Sequence, residues 1–301
     1  MDTMKLKLEI ELNQPMTVFA LQIGGYLPLA FTPTPILLVD RNIVSLIDEI
    51  KNKSSRQDIV ANTWWFNFIN SSAFSLNPLI YAIEGNKQKI PSFVEFCEQF
   101  NLACIKLQQG FPNARIANYS KELYDLSYQI ILDVIDCYQI EKESLLQAIP
   151  LIRNHCSDKQ LYKIENQLFD IVKNTGIIKS PLVLLAVLSC LYEDNGDKKQ
   201  SWQLGRKILK PSCKYGEKDV HNALSDLRAL EILIVSNNPQ VAFCTRDKYL
   251  AAFWCAIQAE NIYEKQGNTT RFDITLNQKL FPRLTQEGIQ SLMVRIKSLV
   301  S

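Results

Sequence analysis

Histidine is almost missing from this chain, and its scarcity narrows the chemistry. His155 and His221 are the only two in 301 residues. The eight cysteines (Cys97, Cys104, Cys137, Cys156, Cys190, Cys213, Cys244 and Cys255) are scattered, with no CxxC pair. A structural zinc site needs Cys and His ligands clustered at short spacing, so this composition argues against one. Dispersed cysteines in a chain of this size read as buried thiols in a reducing cytosol, and a cytoplasmic location is the expectation. A strong charge of either sign is also lacking. The net charge is +2 and the sequence pI about 8.0, so no global field draws the chain to nucleic acid, and any such contact must rest on a local basic patch. No fixed-period repeat or low-complexity tract occurs. An uninterrupted membrane-length apolar run is missing as well. Residues 16–39 carry no charge, but Gln22, Gly24, Gly25 and the prolines at 28, 33 and 35 break the stretch. It also follows Lys5–Leu12, whose polar/apolar alternation is that of a strand, so neither a spanning helix nor a secretory leader fits and no membrane partner is expected.

What remains is ample material for a core. Hydrophobic residues make up 47% of the chain, enough for one large domain or two ordinary ones. Ile36-Leu37-Leu38-Val39 is a short apolar run bounded by turn residues and ends abruptly in Asp40-Arg41-Asn42. Such a run predicts a strand buried on both faces of a parallel sheet, followed by a helix over 43–51. Asp40 would then cap that helix, as Asp often does, or stand at the carboxyl edge of the sheet, where open α/β sheets place their ligands. Val241-Ala242-Phe243-Cys244 repeats the pattern, with Thr245-Arg246-Asp247-Lys248 before a helix through Tyr249, Leu250, Phe253 and Trp254.

Between these two runs lies mostly helical sequence. Trp64 to Ile69 reads as a buried helix segment. Asn77-Pro78 starts a helix that carries Leu79, Ile80 and Ile83 on one stripe, then Glu84 and Gly85. Helix-spaced apolar residues recur from 91 to 210, and the all-apolar stretch 181–191 predicts a central helix. Glu193-Asp194-Asn195-Gly196-Asp197 reads as a solvated turn. Residues 219–234 form an amphipathic helix that carries Asp226. Residues 261–301 form an extension that turns helical toward its end.

Asp40, Glu84, Asp226 and Asp247 thus come from four separate elements. Carboxylates drawn together repel unless a cation compensates, and Mg²⁺ or Mn²⁺ prefers such oxygen ligands. Ions of this kind activate water and stabilise a leaving phosphodiester oxygen, which needs no histidine base.

The motifs carrying these acids resemble the PIN-domain nucleases. Leu37 to Val44 is similar to their opening hhhDxN strand, Pro78 to Gly85 to their Glu-bearing helix, and Ser225 to Glu231 to the helix bearing their third acid. Val241 to Leu250 is similar to their hhxTxD element. The resemblance implies a parallel-sheet α/β core sandwiched by helices, built from 1–90 and 211–260. A mostly helical insertion would fill 91–210. It implies a nuclease acting on RNA or single-stranded nucleic acid, in some members as a toxin or antiviral effector. Asp40, Glu84, Asp226 and Asp247 would be the catalytic, metal-binding acids. Asn42 and Thr245 would orient them, and Arg41, Arg246, Lys248 and Arg228 would engage phosphate. The spacing of 142 positions from Glu84 to Asp226 exceeds the compact family pattern, which leaves Asp219, Asp194 and Asp197 as rivals for the third acid. The alternative expectation is a non-cleaving scaffold that binds nucleic acid, a regulatory protein or a second copy of the chain.

Overall fold

The computed structural model describes residues 17–22, 25–28, 35–52, 59–85, 87, 89–176, 181–194, 203–236, 238–257, 259–264, 270–274, 276 and 278–300. The strand pattern at Lys5–Leu12 and the turn residues Asn195–Asp197 lie outside them. Among the described residues no helix is long and apolar enough to cross a membrane.

The architecture is α/β, with a central sheet of six strands. These are β1 (Phe19–Gln22), β2 (Gly25–Pro28), β3 (Ile36–Val39), β4 (Ser75–Asn77), β5 (Arg115–Ile116) and β6 (Val241–Thr245), in the spatial order β2-β1-β6-β3-β4-β5. The four strands β6, β3, β4 and β5 run parallel, and β1 and β2 close one edge antiparallel. β3 sits in the middle, paired on both sides, which suits an all-apolar strand with no polar face to spare.

Alternate residues of these strands feed two cores. Leu37, Val39, Leu76, Ala242 and Cys244 point to one face. There α1 (Arg41–Lys51), α2 (Ile59–Ile69) and α4 (Phe93–Gly110) cover them with Ile43, Ile47, Trp65 and Leu107. Leu38 and Phe243 point to the other face. That face is shared by α3 (Leu79–Glu84), α5 (Lys121–Ile152), α6 (Asp158–Thr175), α7 (Pro181–Leu191), α8 (Leu204–Leu209), α9 (Glu217–Ser236) and α10 (Lys248–Ile257). Residues 259–264 and 270–274 form a separate hairpin, β7 and β8, and α11 (Gln286–Val300) closes the chain with Ile289 and Leu292 in the second core.

Three details differ from the sequence reading. α1 starts at Arg41, two residues early, because Asp40 is already the N-cap position. The stretch read as a helical insertion, 91–210, also contributes to the sheet and its covering layer. α4 packs on α1, and β5 extends the main sheet through Arg115 and Ile116. The helices from α5 onward then share one continuous core with Leu38 and Phe243. Glu193, read as part of a solvated turn, is 2% exposed and paired with the Arg206 guanidinium and with His155 Nδ1 at 3.0 Å. Hydropathy alone could not reveal its partner, which arrives from α8.

α7 is apolar on every side and is accordingly buried along its whole length. Its contact with α8 is close enough to demand glycine. A Cβ on Gly205 would lie 2.3 Å from the Ala186 carbonyl oxygen and 2.9 Å from the Cys190 nitrogen, both backbone atoms that cannot step aside. Gly205→Ala should therefore lower unfolding stability by about 1–3 kcal/mol, the usual overpacking range, in chemical denaturation. Gly288→Ala, where the nearest atoms lie at an ordinary 3.4 Å, should be neutral or slightly stabilising and serves as the control.

Candidate functional site

The parallel pairing of β3 with β6 sets Val39 opposite Cys244, and the Asp40 N–H donates to the Cys244 carbonyl at 3.0 Å. Both strands therefore end at the same edge, and the chain leaves each one into a helix. Asp40 occupies the N-cap position of α1, yet its side chain makes no capping bond. Its Oδ2 instead accepts from Thr245 Oγ1 at 2.6 Å and from Asn42 Nδ2 at 2.5 Å. Asn42 Nδ2 also donates to Thr245 Oγ1 at 3.0 Å, and Asn42 Oδ1 accepts the Arg246 N–H at 2.9 Å. Asn42 and Thr245 thus clamp Asp40 across the strand pair.

Asp247 behaves differently. Its Oδ1 accepts from the backbone N–H groups of Tyr249 at 2.8 Å and Leu250 at 3.0 Å, so it caps α10. Its own N–H donates to Thr245 Oγ1 at 3.0 Å. Of the two strand-end acids, the one read as a possible cap is held across the sheet, and its partner is the cap.

Glu84 is the last residue of α3, where Gly85 at φ 67° turns the chain in a conformation that glycine adopts without strain. Arg41 Nε lies 3.1 Å from Glu84 Oε1, but off the N–H axis, so the contact is an ion pair without a hydrogen bond. The same guanidinium donates to the Gly85 carbonyl and lies over the Tyr81 ring at 4.3 Å. On α9, His221 Nε2 donates to the Glu84 carbonyl at 3.0 Å and Nδ1 accepts from the Tyr138 hydroxyl at 3.3 Å. Burial pushes the His221 pKa down, which favours the neutral ring that this pattern requires.

All four carboxylates line one open cleft of about 870 Å³ at the carboxyl edge of the sheet, with Asp226 contributed by α9. Their mutual effect is strong. The Asp40 carboxyl is pushed up to about 6, first by burial and then by the charges of Glu84 and Asp247, against the Thr245 hydroxyl and the Arg41 N–H. Asp226 is pushed well above the usual carboxylate range, first by burial and then by Asp40, Asp247 and Glu84, with Lys210 opposing. Four anions with so little compensation form the hard oxygen donor set that a divalent cation favours. They are nevertheless not pre-assembled. Among the described residues, no three His, Cys, Asp or Glu side chains close into a metal-holding group. Thr245 and Asn42 hold one oxygen of Asp40, α10 holds one oxygen of Asp247, and Arg41 holds Glu84.

The rivals for the third acid stand elsewhere. Asp219 Oδ2 accepts from the Gly216 N–H at 3.0 Å in the first turn of α9, and neither it nor Asp194 lines the cleft. Asp197 lies outside the described residues. Arg41, Asn42, Arg246 and Lys248 do line it; Arg246 is paired with Glu49 at 3.0 Å, and Lys248 lies 5.1 Å over the Tyr249 ring. Arg228 is a correction. It is taken up by Glu141 and Glu231, each at 2.7 Å, on the far side of α9, and is absent from the cleft. Thr17, Phe19, Ser45, Glu49, Asn62 and Tyr249 line the cleft without having been singled out, and the charge of Lys210, at the end of α8, acts on Asp226. No local pattern marks them, because each depends on where its element packs. No known family, curated protein or solved structure matches the chain.

The raised Asp40 pKa fixes a sign for stability. Between the unfolded carboxylate value near 4 and the folded value of about 6, the folded chain holds a proton that the unfolded chain releases. Stability with divalent ions chelated must therefore fall as pH rises through that window. Asp40→Asn removes the titration and should match the wild type near pH 4. At pH 7.5 it should be more stable by about 2 kcal/mol in urea unfolding. A variant less stable at pH 7.5 would show that the ionised carboxylate is net stabilising.

Proposed function

We propose that this chain is a PIN-like nuclease that hydrolyses phosphodiester bonds of RNA or single-stranded nucleic acid with the help of Mg²⁺ or Mn²⁺, acting in the cytoplasm. The observation that carries this reading is the convergence of Asp40, Glu84, Asp226 and Asp247, from four separate elements, on one cleft at the carboxyl edge of a parallel sheet. The side-chain order along the chain and the hhhDxN and hhxTxD strand ends are those that prompted the family resemblance.

In this reading Asp40, Asp226 and Asp247 would hold the cation, with Glu84 joining them. When bound, the ion would activate water and stabilise the departing oxygen. The remaining tasks fall to this chain's own groups. Asn42 and Thr245 fix the Asp40 carboxylate in one orientation through its Oδ2. Arg41 holds Glu84 until a cation competes for it. Lys248 and Arg246 stand beside the acids, where a phosphate backbone would pass. Protonation of Asp40 or Asp226 at low pH would empty the donor set, so activity should rise with pH through the neutral range.

A second reading, a binding module that does not cleave, draws on one observation: the acids are not closed into a ready cluster, and Arg41 occupies Glu84. Cleavage of end-labelled RNA and single-stranded DNA with Mn²⁺ or Mg²⁺ decides between them. Thr245→Val should reduce cleavage by ~10–100-fold, as the loss of an outer-shell orienting group does. Asp40→Asn and Asp247→Asn should reduce it further. Equal activity in the wild type and both acid variants would sink the nuclease reading.

A further inference from the structure

α8 is a short helix, yet the fold holds it firmly. Gly205 lets it close on α7, where the Gly205 N–H donates to Ser189 Oγ at 3.2 Å. The Arg206 guanidinium runs into the body of the protein. It donates at 2.8 Å to the carbonyls of Ile152 and Arg153 and pairs with buried Glu193. Both ends of the helix sit in the left-handed region, Gln203 at φ 47° and Lys210 at φ 49°, and no other non-glycine residue does so among the described residues. Glycine takes that conformation freely and lysine does not, so it persists only where the surroundings impose it.

What this bracket presents to solvent is positive charge. Lys207 and Lys210 are exposed and stand about one helical turn apart. Lys207 Nζ lies 5.3 Å from the centre of the Tyr249 ring, and Lys248 Nζ lies 5.1 Å from the same centre. Tyr249 and Lys248 line the acidic cleft, and the Tyr249 N–H donates to Asp247 Oδ1 at 2.8 Å. The charge of Lys210 acts on Asp226. Three ammonium groups therefore gather beside the acids, and among the described residues none of them forms an ion pair with a carboxylate.

We propose that Lys207 and Lys210, together with Lys248, form a phosphate track that carries a single strand of nucleic acid away from the acids, so that α8 sets the path of the substrate. The inference rests on the nucleic-acid reading of the cleft. The acids favour a cation and the rim favours an anion, and a phosphodiester chain satisfies both. The phosphate at the acids arrives with its ion, and its neighbours along the strand bring further charges to the lysines. A lone phosphate or a small carboxylate reaches only one of the two. Lysine meets phosphate as a point charge, so the track holds the strand without reading its sequence. Lysines grouped around an aromatic ring are also the footprint of single-strand binding. α8 belongs to none of the motifs behind the family resemblance, so the track is a property of this chain's own helical layer.

The test measures binding of a fluorescent RNA of about 20 nucleotides and mixed sequence to the whole chain in EDTA, by anisotropy from about 50 to 200 mM salt. Wild-type affinity should fall as salt rises. Lys207→Ala combined with Lys210→Gly should bind about tenfold more weakly at the low end. It should also lower the slope of log affinity against log salt by about 1.4, for two phosphates at about 0.7 each on a single strand. Glycine suits the backbone at 210, so this pair removes charge without loosening α8. Lys207→Arg combined with Lys210→Arg should keep the wild-type slope. Lys163→Ala, at an exposed position on α6 that does not line the cleft, should keep it too. An unchanged slope in the alanine–glycine pair overturns the proposal, and so does a slope that the arginine pair fails to keep. Wild-type binding that is absent or indifferent to salt overturns it as well. Poly-glutamate bound as tightly as the RNA would do the same, by marking the rim as a surface for acidic proteins. Failure of the nuclease reading looks different. In that case the two lysines still govern binding, while RNA cleavage with Mn²⁺ does not depend on Asp40 or Asp247.

Discussion

One strand pairing governs the rest of the molecule. β3 and β6 are separated by about two hundred residues, yet they lie side by side and parallel, with Val39 opposite Cys244. Parallel neighbours end at the same edge, so the residues that follow them must share that edge whatever lies between. Asp40 and the Thr245-Arg246-Asp247 turn are brought together by backbone register, and the Asn42–Asp40–Thr245 bonds are made possible by it. The long intervening chain has only to return to the sheet. It does so by becoming the layer over one face, its helices packing on Leu38 and Phe243 in a single core.

The treatment of buried charge separates structural acids from the cleft. In the helical layer Glu141 is matched by Arg228 at 2.7 Å, Glu165 by Arg295 at 2.7 Å, and Glu193 by Arg206. Removing a partner from such pairs leaves a buried charge and is strongly destabilising. At the cleft, Arg41 contacts Glu84, Arg246 is taken up by Glu49, and Lys210 acts on Asp226 from a distance, so Asp40, Asp226 and Asp247 have no ion-pair partner of their own among the described residues. Four guanidinium or ammonium groups would have been the stable arrangement there. Burial first, and then the neighbouring carboxylate charges, push the carboxyls of Asp40 and Asp226 up, which the paired acids of the helical layer escape.

Strand ends were legible because they are local. Ile36 to Val39 and Val241 to Cys244 are apolar runs closed by turn chemistry, and α7 is apolar on every side, so each reads directly from hydropathy. The capping roles of Asp40 and Asp247 were not legible. Both residues precede a helix, and only the tertiary position of Thr245 and Asn42 turns the Asp40 carboxylate away from its own N-terminus. Arg228 failed for a similar reason: two residues from Asp226 on a helix is the opposite side, where Glu141 of α5 waits. β5 is two residues long and carries no periodic signal, so its place in the sheet depends on β4 being there to pair with it.

Asn62 shows the limit of pattern reading most clearly. It sits between Ala61 and Thr63 in a helix that hydropathy assigns to the core, and burial follows: 3% for Asn62, 0% for Trp65 one turn on. By the logic of a core, leucine would serve better at that position, since a buried amide without a partner is destabilising and contributes nothing to packing that an apolar side chain of equal volume would not. A sequence that departs from local consistency in this way does so at functional positions more often than elsewhere. The departure coincides with the wall of the one cleft that the four acids line. The acids raise the free energy of the folded chain through repulsion, and Asn62 and Thr17 raise it through unmatched hydrogen bonds. The two groups of residues are unlike in chemistry but alike in this: each lowers the stability of the fold at the same cleft, and neither is fully offset by a partner among the described residues.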